Sequence, residues 1–325
     1  EIFSVKYGAL ALLVLQNTFL VIFMRYSRTI EGPLYASSTA VFMMEVTKFL
    51  SCNVVVLVDS GNFSKYLEQL QEELTYLEIL KVSIPSLVYT IQNNLLYYAL
   101  SHLDAATYQV CYQTKILTTA LFSVFLLNKK LSLLQWGSLF ILTVGVTLTQ
   151  LSSSTNDQKS NTSLGFIAVL TAAVLSGFAG VYFERILKNS KSSVWMRNIQ
   201  MGFSSIGLAL GGVYFSGDSS LVREHGFFYG YNGIVVTVII LQAVGGLVVA
   251  VVVKYADNIL KGFAASFSIV TSLILCYFFL DFHPTWFFFY GAILVNVSMY
   301  FYSYTPPPNQ ASQTLYSNKD IATTV

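Results

Sequence analysis

Long apolar runs punctuated by short polar stretches make up most of the chain, and the runs reach the length of a bilayer-crossing helix. About 20 apolar residues span the hydrocarbon core. By that measure ten spans are predicted, over 5–24, 34–57, 77–101, 104–127, 132–151, 164–186, 194–215, 231–253, 257–280 and 285–304. In lipid only a helix or a closed barrel satisfies its own backbone groups, and runs this long suit the helix. The predicted fold class is therefore an all-α polytopic membrane protein with ten transmembrane helices. The polar segment 151–163 separates a first five-helix half, 1–150, from a second, 164–304, and 305–325, with Pro306-Pro-Pro near its start, reads as a disordered tail. Five is odd, so the halves are expected to insert with opposite topology as an inverted pair. A shift of 153 residues lays Asp104 on Asp257, Ile116 on Ile269, Thr118 on Thr271 and Ser132 on Thr285. Each aspartate stands where an N-cap would open the fourth helix of its half. Two related halves with a site between them is a transporter architecture.

Composition agrees with the pattern. Hydrophobic residues are 54% of the 325 and charged ones 10%, which excludes an ordinary soluble domain. Cys52, Cys111 and Cys276 lie scattered in apolar runs without metal-type spacing, so they read as small core residues, and neither a metal nor a disulfide framework is expected. The first run has a full span's length and no cleavage site, so it reads as a span and not a removable signal. Loop Lys and Arg set orientation. Lys6, Lys65, Lys129, Lys130, Arg185, Lys188, Lys191, Lys254 and Lys319 fall on the side of the termini, against Arg25, Arg28, Lys159 and Arg223 opposite. Nine against four predicts cytosolic termini and a lumenal linker, which would carry the sequon Asn161-Thr-Ser.

Polar residues inside the spans are the candidate chemistry, because they are costly there. Tyr108, Tyr112 and Lys115 are spaced i, i+4, i+7 on one helix face, and Tyr89, Gln92, Asn93 and Tyr97 repeat such a face on the preceding span. Together they predict a wet cavity. Glu45 and Lys48 stand at i, i+3 in the second span, as a structural ion pair or as a gate or substrate contact. No acidic residue lies within two helical turns of Lys115, and Lys261 occupies the corresponding span of the second half, so an anionic ligand is expected at both lysines, unless Glu45, Glu184 or Asp257 meets them across the bundle. Ammonium groups suit phosphates, tyrosine faces stack on a base, and amides suit base edges and sugar hydroxyls. The expected ligand is a small phosphate-bearing molecule with an aromatic part. The sequence contains no paired nucleophile and base, metal cluster or glycine-rich phosphate loop, so no catalysis and no cofactor are expected. Pro85 should kink the third span. Gly177 with Gly180, Gly207 with Gly211, and Gly245-Gly246 offer small surfaces for close helix approach, and 64–78 reads as an amphipathic helix on the cytosolic surface.

Several longer motifs carry a resemblance. Ser86-Leu-Val-Tyr-Thr-Ile-Gln-Asn-Asn94, Asp104-Ala-Ala-Thr-Tyr-Gln-Val, Lys115-Ile-Leu-Thr-Thr-Ala, Ser176-Gly-Phe-Ala-Gly-Val-Tyr-Phe-Glu184, Val194-Trp-Met-Arg-Asn-Ile-Gln200 and Lys254-Tyr-Ala-Asp-Asn-Ile-Leu-Lys-Gly-Phe263 resemble the nucleotide-sugar transporters within the drug/metabolite transporter superfamily, over Lys6 to Tyr304. The resemblance implies a multi-pass Golgi membrane protein that exchanges a lumen-bound nucleotide sugar for the matching nucleoside monophosphate by alternating access. It implies that Tyr89, Asn93, Tyr108, Lys115, Ser176, Asn198 and Lys261 line the nucleotide site, with the two lysines on the phosphates. Met201-Gly202 and Gly245-Gly-Leu-Val248-Val249-Ala look like the UDP-sugar members in place of the CMP-sialic acid carriers, so Gly202, Val248 and Val249 are candidate sugar-specificity positions. Arg25-Tyr-Ser-Arg-Thr, Glu31-Gly-Pro and Leu127-Asn-Lys-Lys-Leu lean to carriers of UDP-N-acetylglucosamine, with UDP-galactose nearly as close and CMP-sialic acid a third alternative. The expected partners are a UDP-sugar, UMP and the lipid bilayer, with no nucleic acid; a homodimer or a complex with glycosyltransferases stays open. A multi-span glycosyltransferase is the rival of another class. It would need a carboxylate on a lumenal loop near the cavity, and those loops offer only Glu31, Asp157, Asp218, Glu224 and Asp281, in no paired spacing.

Overall fold

A computed structural model describes residues 2–153, 159–188, 192–215, 217–255, 258–280 and 282–303. Asp257 and the tail from 304, together with the side chains of Asn161, Val249, Lys254 and Lys261, lie outside the described residues. Among the described residues all regular structure is helical, in thirteen helices: α1 (Ile2–Thr29), α2 (Ser37–Ser60), α3 (Phe63–Glu73), α4 (Tyr76–His102), α5 (Ala105–Tyr112), α6 (Thr114–Leu127), α7 (Leu133–Ser153), α8 (Lys159–Lys188), α9 (Val194–Phe215), α10 (Ser219–His225), α11 (Gly233–Tyr255), α12 (Asn258–Phe279) and α13 (Trp286–Ser303).

Local chemistry sets many of the ends. Asp104 opens α5 by accepting the Thr107 N–H at 2.7 Å. Ser132 and Gln135 form a reciprocal capping box before α7, the Ser132 N–H donating to Gln135 Oε1 at 2.9 Å and the Gln135 N–H to Ser132 Oγ at 3.2 Å. Thr285 caps α13 through the Phe288 N–H at 3.3 Å. Gly61 ends α2 at φ +67° and Asn128 ends α6 at φ +51°, the left-handed conformation that stops a helix.

Several expected boundaries move. The amphipathic helix ends at Glu73, and Glu78 belongs to the first turn of α4, the two helices meeting at a 79° bend. The predicted linker 151–163 shrinks, since α7 continues to Ser153 and α8 begins at Lys159. The fourth expected span is α5 and α6 joined at Gln113, where the Ile116 N–H reaches back only three residues to the Gln113 carbonyl. Helix α10 was not predicted; it is a short turn held beside α9.

Ser37–Ser60, Ala105–Leu127 and Thr162–Ile186 are each long and apolar enough to cross a membrane, and α3 with α4 forms a bent pair that passes together. The exposed surface is correspondingly apolar: Val58, Phe125, Phe140, Ile167 and Phe215 all face outward. So many exposed large apolar side chains suit acyl chains better than water. The chain is an all-α polytopic membrane protein.

Packing joins helices that are far apart in sequence. Helix α1 runs along α11 and α12, whereas α8 runs along α4 and α6; α2 lies on α9, and α7 on α13. If α1, α2, α4, α5–α6 and α7 are matched in order with α8, α9, α11, α12 and α13, each of these packings has a counterpart. The α4–α8 contact corresponds to α11–α1, α6–α8 to α12–α1 and α4–α9 to α11–α2, while α2–α9 and α7–α13 each correspond to themselves. The α7–α13 crossing is tight because glycines face each other: a Cβ on Gly291 would stand 2.6 Å from the Gly145 carbonyl oxygen, and one on Gly145 would stand 2.9 Å from that of Gly291. Gly177 serves α8 on α6 in the same way, 2.8 Å from the Thr118 carbonyl carbon, and Gly245 meets Gln16 of α1. Gly207 and Gly211, expected to form a similar surface, have nothing within 4 Å of a Cβ. They mediate no close approach between described helices.

Candidate functional site

Four helices converge on the Tyr112 side chain. From α4, Gln92 Nε2 donates to the Tyr112 hydroxyl at 3.0 Å; that hydroxyl donates to Ser176 Oγ of α8 at 3.3 Å. Tyr108, one turn earlier, stacks on the Tyr112 ring with centroids 5.7 Å apart and planes 15° from parallel. From the first turn of α6, Lys115 Nζ lies over the same ring, 4.3 Å from its centroid. The neighbouring turn is anchored by Thr118, whose hydroxyl donates to the Ala173 carbonyl at 2.8 Å and so ties α6 to α8. Tyr89 approaches from α4, its hydroxyl 3.8 Å from where a Cβ on Gly180 would be. The structure thus brings Tyr89, Gln92, Tyr108, Tyr112, Lys115 and Ser176 together, although Ser176 is 64 residues from Tyr112 in sequence. Gln92 and Tyr108 are buried, and Gln92 Oε1 is a shielded acceptor with no hydrogen bond. Asn93 and Asn198 are half-buried on α4 and α9.

This arrangement has a clear chemistry. A cation held against an aromatic face, beside phenol, amide and hydroxyl groups, suits an anion carried on a polar organic body. The described residues contain no group of His, Cys, Asp and Glu able to hold a metal ion.

The other expected positions lie elsewhere. Gly202 on α9 packs against Phe49 of α2, whose Cβ would be 3.2 Å from an added Cβ. Phe49 in turn meets Phe203 edge-on at 5.1 Å. The aromatic ring therefore fills the space that a side chain at 202 would need. Val248 is buried in α11. Glu45 and Lys48 pair at 2.7 Å, and Glu45 Oε2 also accepts from Ser205 Oγ of α9 at 2.7 Å. Ser205 escaped the sequence reading because its partner is 160 residues away.

Each end of the bundle carries a polar clasp. At one end Arg25 Nη1 donates to the Leu100 carbonyl at 2.6 Å, and Arg28 Nε to Ser101 Oγ at 2.9 Å, joining α1 to the carbonyl terminus of α4. There Tyr97 donates to Gln242 Oε1 at 2.8 Å, and the Tyr35 ring packs edge-on against those of Tyr97 and Tyr231. A cavity of about 240 Å³ opens beside Arg25, Asp104 and Cys276. Asp218 Oδ2 accepts from the Ser38 N–H at 3.0 Å and from its hydroxyl at 2.9 Å, capping α2 from the segment between α9 and α10. At the opposite end the buried Arg197 of α9 pairs with Glu78 at 2.5 Å, and Gln200 Nε2 donates to the Glu73 carbonyl at 2.8 Å. That clasp fastens the α3–α4 elbow to the start of α9.

Comparison with known proteins bears on this geometry. A solved structure titled "Crystal structure of protein" superposes with a TM-score of 0.56 over 92% of this chain and 97% of its own; at 14% identity it shares the fold alone. The human UDP-N-acetylglucosamine transporter is 54% identical over 316 residues, covering 94% of this chain and 97% of the relative, and the dog protein of that name matches equally over 317. The bovine UDP-galactose translocator is 47% identical over 305 residues, 92% of this chain and 77% of its own. The family model described as nucleotide-sugar transporter matches residues 1–303. A match over nearly the whole helical bundle, with whole-length relatives above half identity, leads to one conclusion: the chain belongs to the nucleotide-sugar transporter family.

Proposed function

We propose that this protein is a Golgi antiporter that carries UDP-N-acetylglucosamine into the lumen and returns UMP by alternating access. The observation that carries the choice of sugar is the 54% identity with transporters named for UDP-N-acetylglucosamine, against 47% with translocators named for UDP-galactose. The nucleotide site is built from Tyr89, Gln92, Asn93, Tyr108, Tyr112, Lys115, Ser176, Asn198 and Lys261, not all of which need touch the ligand. Support for the phosphate end comes from the Lys115 ammonium beside Tyr112 and the Ser176 hydroxyl.

In this reading both termini are cytosolic and the Arg25 clasp is lumenal. Two five-helix halves related by inversion agree with the matched packings described above and with the caps at Ser132 and Thr285. The moving units, though, are not those halves. Because α1 packs with α11 and α12 while α8 packs with α4 and α6, each unit takes its first helix from the other half. The bonds from Arg25 and Arg28 to α4, and from Tyr97 to Gln242, run between the units and hold the lumenal end closed. Opening that end requires them to break, and the ligand drives the change only so far as it binds the two states differently.

The test is uptake of labelled UDP-N-acetylglucosamine into sealed proteoliposomes preloaded with UMP, CMP or nothing, with UDP-galactose and CMP-sialic acid as competitors. UMP-dependent uptake that excess UDP-galactose blocks only weakly is expected. Equal competition would replace the single sugar by a broader UDP-sugar range, and stimulation by CMP would overturn the assignment.

A further inference from the structure

We propose that Tyr112 is a positioning residue for the Lys115 ammonium and acts on the ligand's phosphate through that cation, without contacting the ligand itself. The inference rests on the reading of the Tyr112 cluster as the nucleotide site.

Two observations carry it. First, the capacity of Tyr112 is already taken up within the protein. Its single O–H is directed to Ser176 Oγ, its oxygen accepts from Gln92 Nε2, and its ring is stacked with Tyr108 and covered by Lys115 Nζ. A phenol so engaged has no donor left for a base edge or a sugar hydroxyl. Second, those same contacts come from α4, α5, α6 and α8, so the ring is fixed from several directions, and a fixed ring fixes the cation over it. A lysine has four rotatable side-chain bonds and a strongly hydrated head, and gains most from a surface that holds it in one place. A desolvated cation over a tyrosine face is held strongly enough to change a binding constant by about tenfold or more. The hydroxyl bonds to Gln92 and Ser176 keep the ring from tilting away from Lys115.

The experiment measures binding of uridine and of UMP to the full chain purified in detergent, by calorimetry. It compares the wild type with Tyr112→Phe, Tyr112→Leu, Lys115→Gln and the double variant Tyr112→Leu/Lys115→Gln, each checked for an intact thermal transition. Tyr112→Leu is expected to weaken UMP by on the order of tenfold while leaving uridine within about twofold. Tyr112→Phe keeps the cation's surface but loses the hydroxyl bonds that orient it, so a smaller loss for UMP, with uridine still within about twofold, is expected, and it serves as the conservative variant even if Tyr112→Leu folds poorly. In the Lys115→Gln background, Tyr112→Leu should change UMP affinity by less than about twofold, because the group it positions is gone. Equal losses for uridine and UMP would overturn the inference and make Tyr112 a stacking surface for the base. Losses that multiply in the double variant would also overturn it, since the two residues would then act independently. A wild type that does not bind UMP would instead refute the proposed function, which keeps the two failures distinct.

Discussion

Replacing Lys48 by Met removes the cation bonded to a carboxylate that has no solvent of its own. The Glu45 side chain is 1% exposed and that of Lys48 is 17% exposed, so the two halves of the pair do not suffer equally when the other is lost. Stranding a buried charge costs about 3–5 kcal/mol, whereas removing both members together is often close to neutral. Lys48→Met should therefore destabilise by about 3–5 kcal/mol, only partly relieved by the Ser205 hydroxyl that still donates to Glu45. Glu45→Gln should cost less, because the ammonium left behind is less enclosed than the carboxylate. The double variant Glu45→Leu/Lys48→Met should recover much of the loss, with a coupling energy of about 2–3 kcal/mol. Denaturant unfolding in detergent micelles measures all three. Additive costs, with coupling below about 0.5 kcal/mol, would refute a structural pair. If the double variant is stable but its uptake into proteoliposomes is lost, the pair acts as a gate or ligand contact.

Three further outcomes follow from the packing. Gly177→Ala places a methyl 2.8 Å from the Thr118 backbone and should lower thermal stability by about 1–3 kcal/mol, while Gly207→Ala, with nothing within 4 Å, should be neutral or stabilise by up to about 1 kcal/mol; equal effects would place the α6–α8 crossing in error. Glu78→Gln strands the guanidinium of Arg197, whose side chain is 3% exposed, and should cost roughly 2–3 kcal/mol more than Lys81→Met, which loses a partner that is 59% exposed; unfolding midpoints decide between them. Arg25→Ala removes a charged hydrogen bond of about 1.5–3 kcal/mol from the end where Cys276 is 1% exposed. In a chain with Cys52 and Cys111 replaced by Ala, thiol labelling of Cys276 should then quicken by about tenfold or more, and an unchanged rate would exclude a role for Arg25 in closing that end.

Legibility of the fold followed the range of the forces involved. Spans could be read because lipid demands a run of apolar residues wherever a helix lies, and the Asp104 cap because it needs only a residue three positions on. The Glu45–Lys48 pair was visible for the same reason, being one turn apart on one helix. Helices of this kind are apolar nearly all round, so the sequence does not announce which face meets which neighbour. That is why the glycines misled: Gly177 and Gly207 look alike in sequence, yet one meets α6 and the other meets nothing within 4 Å.

The candidate site divides along the same line. Tyr108, Tyr112 and Lys115 share a face because helical geometry places i, i+4 and i+7 together, and polar side chains at bilayer depth stand out in the sequence as candidates. Membrane class, approximate spans and the choice of candidate polar residues were thus set by local periodicity and the cost of polar groups in lipid. Tertiary structure alone decided that Ser176 receives the Tyr112 hydroxyl, that Ser205 shares Glu45, that Asp218 caps α2 and that α1 and α8 change places between the two packing units. These contacts join residues 64 to 181 positions apart, and a hydrogen bond is formed only where packing has first brought its two ends within about 3 Å.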